Sequence, residues 1–213
     1  MNRYKIPNII TKNSRALTWN FCDSSQDIFL TFDDGPTPEV TDKVIDILKQ
    51  YNIKGTFFFL GRNVERYPEL YQQTLNEGHS VGNHSYSHLK GWKSKNNEYI
   101  DDIELASTLI NSNLFRPPYG RIKPTQIKKL RKTYKLIMWD VLSADYNYSL
   151  SGKDVSQNVL QNVKPGSIIV FHDSIKASKN LLHSLPEVIE NLLSQNMSFS
   201  AIPFSQITER PEY

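Results

Sequence analysis

The residues best equipped for chemistry fall in five short segments, each beside an apolar run. The first is Thr31-Phe32-Asp33-Asp34-Gly35-Pro36. Two adjacent carboxylates at the end of a buried run are costly unless something neutralises them, and a divalent cation or an arginine would do so. Read blandly, Asp before Gly-Pro is ordinary turn chemistry. The second is Gly82-Asn83-His84-Ser85-Tyr86-Ser87-His88. Histidines four apart share one face of a helical turn, which would let both rings reach one ion. By itself the pair is a weak sign, since two unrelated histidines would read the same. With Asp34 it makes two imidazoles and a carboxylate. Three such ligands leave a coordination position open for water, the mark of a catalytic rather than a structural metal site.

The third segment, Arg116-Pro117-Pro118-Tyr119-Gly120, is fixed in an extended shape by its two prolines. It would present an arginine and a backbone N–H rigidly, or simply be a stiff loop with a solvated arginine. The fourth runs Trp139-Asp140-Val141-Leu142-Ser143-Ala144-Asp145-Tyr146, and the fifth is Ile169-Val170-Phe171-His172-Asp173. A histidine at a strand end with a carboxylate from the neighbouring segment is an acid–base arrangement. His172 alone would read as a satisfied core histidine.

These segments need a frame, and the rest of the sequence supplies one. The patterns predict strands over Ile28–Phe32, Lys54–Leu60, Ser80–Asn83, Leu136–Val141, Ser167–His172 and Ser198–Pro203. A helix opens at Thr37 as N-cap with Pro38 as its first residue, carrying Val40, Val44, Ile47 and Leu48. Further helices run from Pro68 to about Gly78, over Asn97–Asn111, over Pro124–Tyr134, around Val155–Val163 and near Lys179–Gln195. Such alternation means parallel βαβ units, in an open doubly wound sheet or a closed barrel. In either, chemistry belongs at the C-terminal strand ends, where the five segments lie.

Composition narrows the function classes. A length of 213 residues suits one domain, and 22% charged with 11% aromatic residues excludes a disordered tail protein. The single cysteine, Cys22, excludes an intramolecular disulfide framework and a thiolate-rich metal site. A net charge of +3 is too small to argue for nucleic acid. No run approaches the ~18 apolar residues of a membrane span.

Taken together and in this order, the five segments resemble the motifs of the carbohydrate esterase family 4 polysaccharide deacetylases, built on the NodB homology domain. The resemblance covers about residues 28–203, so we expect one such domain over residues 1–213. It implies an α/β fold, a distorted, incomplete (β/α) barrel, and hydrolysis of N-acetyl groups on N-acetylglucosamine-containing glycans such as chitin oligomers, peptidoglycan or an exopolysaccharide. It implies that Asp34, His84 and His88 bind a divalent metal, zinc first, with cobalt, nickel or manganese as alternatives. It implies Asp33 as general base held by Arg116, His172 as general acid oriented by Asp145, and the Tyr119 N–H at the oxyanion. Tyr119, Trp139, Tyr146 and Val170 are the implied substrate contacts.

Two departures stand out. The family's fourth motif commonly reads Asp-Ser-x-Asp-Trp, and here Leu142 replaces its first Asp and Tyr146 its Trp. In the fifth motif Val170 stands where Leu is usual, a smaller wall for the acetyl methyl. Other residues read plainly: His79 as structural, His183 as packing or surface, and the cationic stretch from Arg121 to Lys135 as a solvated helix face that could also attract an anionic polymer. The competing functions are an amidohydrolase for small non-glycan amides, a non-haem iron oxygenase on the same ligand triad, and a glycan-binding module without turnover. The expected partner is an acetylated glycan, not nucleic acid or membrane, and the expected state is a monomer. The first twenty residues lack an apolar signal core, so either the protein works in the cytoplasm, it leaves by an unusual route, or the sequence is a mature form; the family it resembles often acts at the cell envelope or outside.

Overall fold

The computed structural model describes residues 16–207. Most of the stretch read for a leader lies outside that range. Seven strands form one parallel sheet: β1 (Phe29–Asp33), β2 (Thr56–Phe59), β3 (Ser80–Asn83), β4 (Leu114–Phe115), β5 (Lys135–Leu136), β6 (Val141–Leu142) and β7 (Ile168–His172). The helices between them are α1 (Thr41–Gln50), α2 (Gly61–Arg66), α3 (Pro68–Asn76), α4 (Asn96–Ser107), α5 (Pro124–Leu130), α6 (Gly152–Leu160) and α7 (Ser178–Ser194). Strand order is β5-β4-β3-β2-β1-β7-β6.

That order dictates the shape. β5 and β6 are consecutive in sequence yet sit at opposite edges of the sheet. A flat sheet would separate them by six inter-strand spacings of ~4.8 Å, about 29 Å. The five residue steps from Leu136 to Val141 reach at most about 18 Å. The sheet must therefore curl until its edges nearly meet. Segment 137–140 closes the remaining gap: Ile137 N–H donates to Phe115 on one edge, and Asp140 N–H to Ile168 near the other. The result is the incomplete (β/α) barrel.

Side chains alternate across this curled sheet as the two-residue period requires. Leu30 and Phe32 of β1, Phe57 and Phe59 of β2, and Ile169 and Phe171 of β7 pack outward with Val44, Leu48, Val155, Leu185 and Ile189 of the helices. Phe29, Phe58 and Ile168 form a second cluster with Ile137 and Ile202 on the other face. Thr31 and Asp33 share that inner face.

Several sequence expectations are corrected. The single strand expected over Leu136–Val141 is two short strands on opposite edges, because its middle spans the barrel opening. Thr37 and Pro38 precede the helix rather than cap it; α1 starts at Thr41, whose hydroxyl accepts from Thr37 N–H. The Asn97–Asn111 helix ends at Ser107, and the Pro124–Tyr134 helix ends at Leu130. Ser198–Pro203 forms no strand; it makes one bridge, Phe199 to Ile28, and buries Ile202 in the inner cluster. Helix α2 and strand β4 were not expected. Both are short, and Gly61 hides the first behind a loop-like start.

Candidate active site

The strand ends bring the five segments to one mouth. A cavity of about 540 Å³ is lined by Asp33, Asp34, His84, His88, Tyr119, Trp139, Leu142, Tyr146 and His172, among others. Asp33 is the last residue of β1, and its register partner on β7 is His172.

Asp33 and Arg116 are both buried, and each explains the other. The Arg116 Nη1 donates to Asp33 Oδ1 and to Thr31 Oγ1, both at 2.7 Å. Nη2 donates to the Met138 carbonyl at 2.9 Å, Nε to the Ile137 carbonyl at 3.3 Å, and the guanidinium lies 4.1 Å from the Phe58 ring centre. A fully buried guanidinium is tolerable only when its donors are met like this. The barrel-closing segment thus doubles as the cradle of Arg116. Asp33 Oδ2 stays free of it and faces the histidines, 3.9 Å from His84 Nε2.

Asp34, His84 and His88 converge, with one ligand atom from each lying within 4.8 Å of the others. Asp34 Oδ1 is 3.2 Å from His88 Nε2 and 3.7 Å from His84 Nε2. The histidines do not share a helical turn, as their spacing suggested. They flank a loop in which Ser85 (φ 67°) and His88 (φ 64°) are left-handed, tied down by Asn83 Oδ1, the Ser85 hydroxyl and Asp102.

This donor set fits a cation. His84 Nδ1 meets the Arg116 carbonyl at 2.8 Å. A carbonyl only accepts, so Nδ1 carries the proton and Nε2 presents a lone pair. Burial, then the neighbouring His88, push His84 down to about 3, so no second proton fills the gap. Burial also lowers His88, against the pull of Asp34 and Asp33. Asp34 Oδ1 is buried with no hydrogen-bond donor among the described residues. The His84 Nε2 lone pair faces the Asp34 carboxylate at 3.7 Å, at a cost that a divalent ion removes. Two imidazoles and a carboxylate are a zinc-type catalytic set.

Opposite them, Asp145 receives both the His172 N–H (2.7 Å to Oδ2) and the ring Nδ1–H (2.8 Å to Oδ1). The ring Nε2 is left for the cavity. Burial disfavours the imidazolium, but Asp145 outweighs it, with Asp34 and Asp33 adding, and the pKa is pushed up to about 9. Asn180 of α7 donates to the carbonyls of Asp145, Asn147 and Leu150, which fixes the loop that carries Asp145. Tyr146 meets the His172 ring edge-on at 5.0 Å.

Tyr119 follows the double proline with a left-handed backbone (φ 59°), and its ring packs 4.5 Å from that of His88. Trp139 lines the cavity with an indole N–H that has no partner among the described residues. Val170 is different: it is fully buried in register with Leu142, and the cavity wall at that level is Leu142.

One residue escaped the sequence reading. Asp173, wholly buried next to His172, accepts from Gly35 N–H at 3.0 Å and from the Thr41 hydroxyl at 2.5 Å. It pins the turn that carries Asp34. A Cβ on Gly35 would lie 2.0 Å from Asp173 Oδ2, so only glycine fits. The adjoining His172 drew the reading away from it.

Comparison with known proteins points one way. Residues 22–135 match the family model described as polysaccharide deacetylase. A peptidoglycan-N-acetylglucosamine deacetylase of Bacillus cereus is 35% identical over 185 residues, covering 83% of this chain and 67% of that protein. The peptidoglycan-N-acetylmuramic acid deacetylase PdaC of Bacillus subtilis is 35% identical over 191 residues, 85% of this chain but 38% of that longer protein. A crystal structure of a peptidoglycan N-acetylglucosamine deacetylase superposes with a TM-score of 0.85 at 32% identity, over 93% of this chain and 95% of the other.

Proposed function

This chain belongs to the polysaccharide deacetylase family, the hydrolases of carbohydrate esterase family 4, and on that premise we propose that it hydrolyses N-acetyl groups of N-acetylglucosamine-containing glycans with a divalent ion, releasing acetate. The observation that carries this reading is the convergence of ligand atoms from Asp34, His84 and His88 beside two separate proton-transfer pairs. We take the chain as one deacetylase domain with its core at about residues 28–203, acting as a monomer. The peptidoglycan relatives make a bacterial cell-wall glycan the first candidate substrate.

Asp34, His84 and His88 would hold the ion, zinc before cobalt, nickel or manganese. When bound, such an ion supplies Lewis-acid polarisation of the acetamide carbonyl and acidifies water. Asp33 is the general base. Arg116 occupies its Oδ1, so Oδ2 takes the proton of the attacking water. The Tyr119 N–H helps hold the oxyanion of the tetrahedral intermediate. His172 then gives the proton on its Nε2 to the departing amine, a poor leaving group otherwise. Asp145 keeps that ring charged and aimed. One group must begin deprotonated and the other protonated, which is why two differently paired residues flank the site. Trp139 and Tyr146 wall the sugar, and Leu142, in place of the buried Val170, meets the acetyl methyl. A binding module would need neither buried pair.

Two substitutions separate the roles. Asp33→Asn should retain bound metal and lose about 10²–10⁴ in turnover, the range for a positioned base. His84→Ala should lose both, read by elemental analysis and acetate release. If Asp33→Asn emptied the metal site while Asp34→Asn kept it, the two aspartates would have exchanged roles.

A further inference from the structure

Around the cavity, whose lining includes Tyr119, Arg121, Tyr146 and Lys176, one motif repeats: an aromatic ring with an amine or guanidinium over it. On the Tyr119 side, Lys90 Nζ sits 4.4 Å from the exposed Tyr119 ring, and the Arg121 guanidinium sits 5.3 Å from the Trp92 ring. Tyr119 is 49% and Trp92 61% exposed. Across the mouth, Lys176 Nζ lies 5.5 Å from Tyr146 and 5.8 Å from Tyr148, itself 78% exposed. Tyr119 follows β4 and Tyr146 follows β6, on opposite sides of the central strands, so the motif flanks the catalytic groups on both sides.

The cations are not there to balance acids. Among the described residues none of Lys90, Arg121 and Lys176 has a carboxylate within ion-pair distance. The carboxylates of the cavity itself face other groups: Asp33 is paired with Arg116, and Asp34 lies against the two histidines. Cations held over these rings offer charge to groups on a sugar's rim, while the uncovered parts of the rings offer apolar surface to its C–H groups. A neutral polymer of N-acetylglucosamine has hydroxyls and acetamides on that rim and nothing for three unpaired cations.

Resting on the deacetylase reading above, we propose that this groove selects a glycan carrying carboxylates on the units flanking the sugar to be deacetylated, and that Lys90, Arg121 and Lys176 are its specificity residues. A cell-wall strand stripped of its stem peptides, with free lactyl carboxylates on alternate sugars, has this chemistry; chitin does not.

The test uses metal-loaded full-length protein and two probes of equal length. One is a strand of alternating N-acetylglucosamine and N-acetylmuramic acid with free lactyl carboxylates. The other is the same strand with those carboxylates amidated. The inference expects kcat/KM to be about tenfold higher on the free-acid strand at low salt, mostly through KM. The advantage should shrink towards unity at 1 M salt, where screening acts within ~3 Å. Changing all three residues to glutamine should cut the free-acid to amide ratio roughly tenfold, and Lys176→Arg should preserve it. Equal kcat/KM on both strands, or a ratio indifferent to salt and to the triple substitution, would overturn the inference and leave the deacetylase reading standing. Hydrolysis of neither strand, nor of any acetylated sugar, would overturn both.

Discussion

At the scale of single residues, the protein separates two proton transfers by giving each a different buried partner. Arg116 is permanently charged and takes one oxygen of Asp33; Asp145 is an anion and takes the Nδ1–H of His172. The sign of the pH response follows. His172 must be protonated to act, so turnover falls as pH rises through its pKa, which Asp145 holds up at about 9 in the metal-free site. A cation on Asp34 would cancel part of that support and bring the alkaline limb lower. Asp145→Asn should move the limb lower still and slow turnover, because the ring loses both charge support and aim. His172→Ala should be worse, and adding Asp145→Asn to it should cost little more, since residues acting as one unit are not additive. A double-mutant cycle on kcat/KM with full pH profiles decides this; additive losses with an unmoved alkaline limb would dissolve the pair.

Elements set where these residues meet, and here the sequence was only partly legible. Residue types and their order at strand ends could be read, because apolar runs mark strands and the polar exceptions at their ends are few. Loop geometry could not. Five of the eight non-glycine residues with left-handed backbone among the described residues belong to the site: Asp34, Ser85, His88, Tyr119 and Ala144. Spacing rules assume regular φ and ψ, so the His84–His88 pair was assigned to a helical turn that is not there. Local strain of this kind persists only where surroundings enforce it. For Asp34 the enforcing residue is Asp173. Gly35→Ala should therefore push the turn off Asp173, weaken metal binding and lower the melting temperature. Asp173→Ala removes two buried hydrogen bonds, each worth about 1–3 kcal/mol when a partner is left unmet. Calorimetric metal titration with thermal melts reads both; a Gly35→Ala protein with unchanged metal affinity and melting would show that the turn is not held this way.

For the whole molecule, the barrel closure and the chemistry are one construction. Four residues, 137–140, span the opening, and two of their carbonyls fix the guanidinium that fixes Asp33. Periodicity alone predicts one strand there, because the run is apolar but for Asp140 and the edge-to-edge crossing is a property of sheet order, not of sequence. Arg116→Lys should show how tightly the two are joined: an ammonium cannot meet four acceptors in fixed directions. Each buried acceptor left unmet costs about 1–3 kcal/mol, so chemical denaturation should report a loss of stability together with loss of activity. Activity lost with stability unchanged would mean that Arg116 serves Asp33 alone. The central claim is metal-assisted removal of N-acetyl groups from a glycan, and mass spectrometry of acetylated glycan strands tests it most directly. Incubation with zinc-loaded protein should replace acetyl by hydrogen on N-acetylglucosamine units and release equimolar acetate. The chelated protein should leave the strands unchanged until a divalent ion is restored. Full deacetylation by the chelated protein, or intact strands after incubation with the zinc-loaded one, would contradict the account.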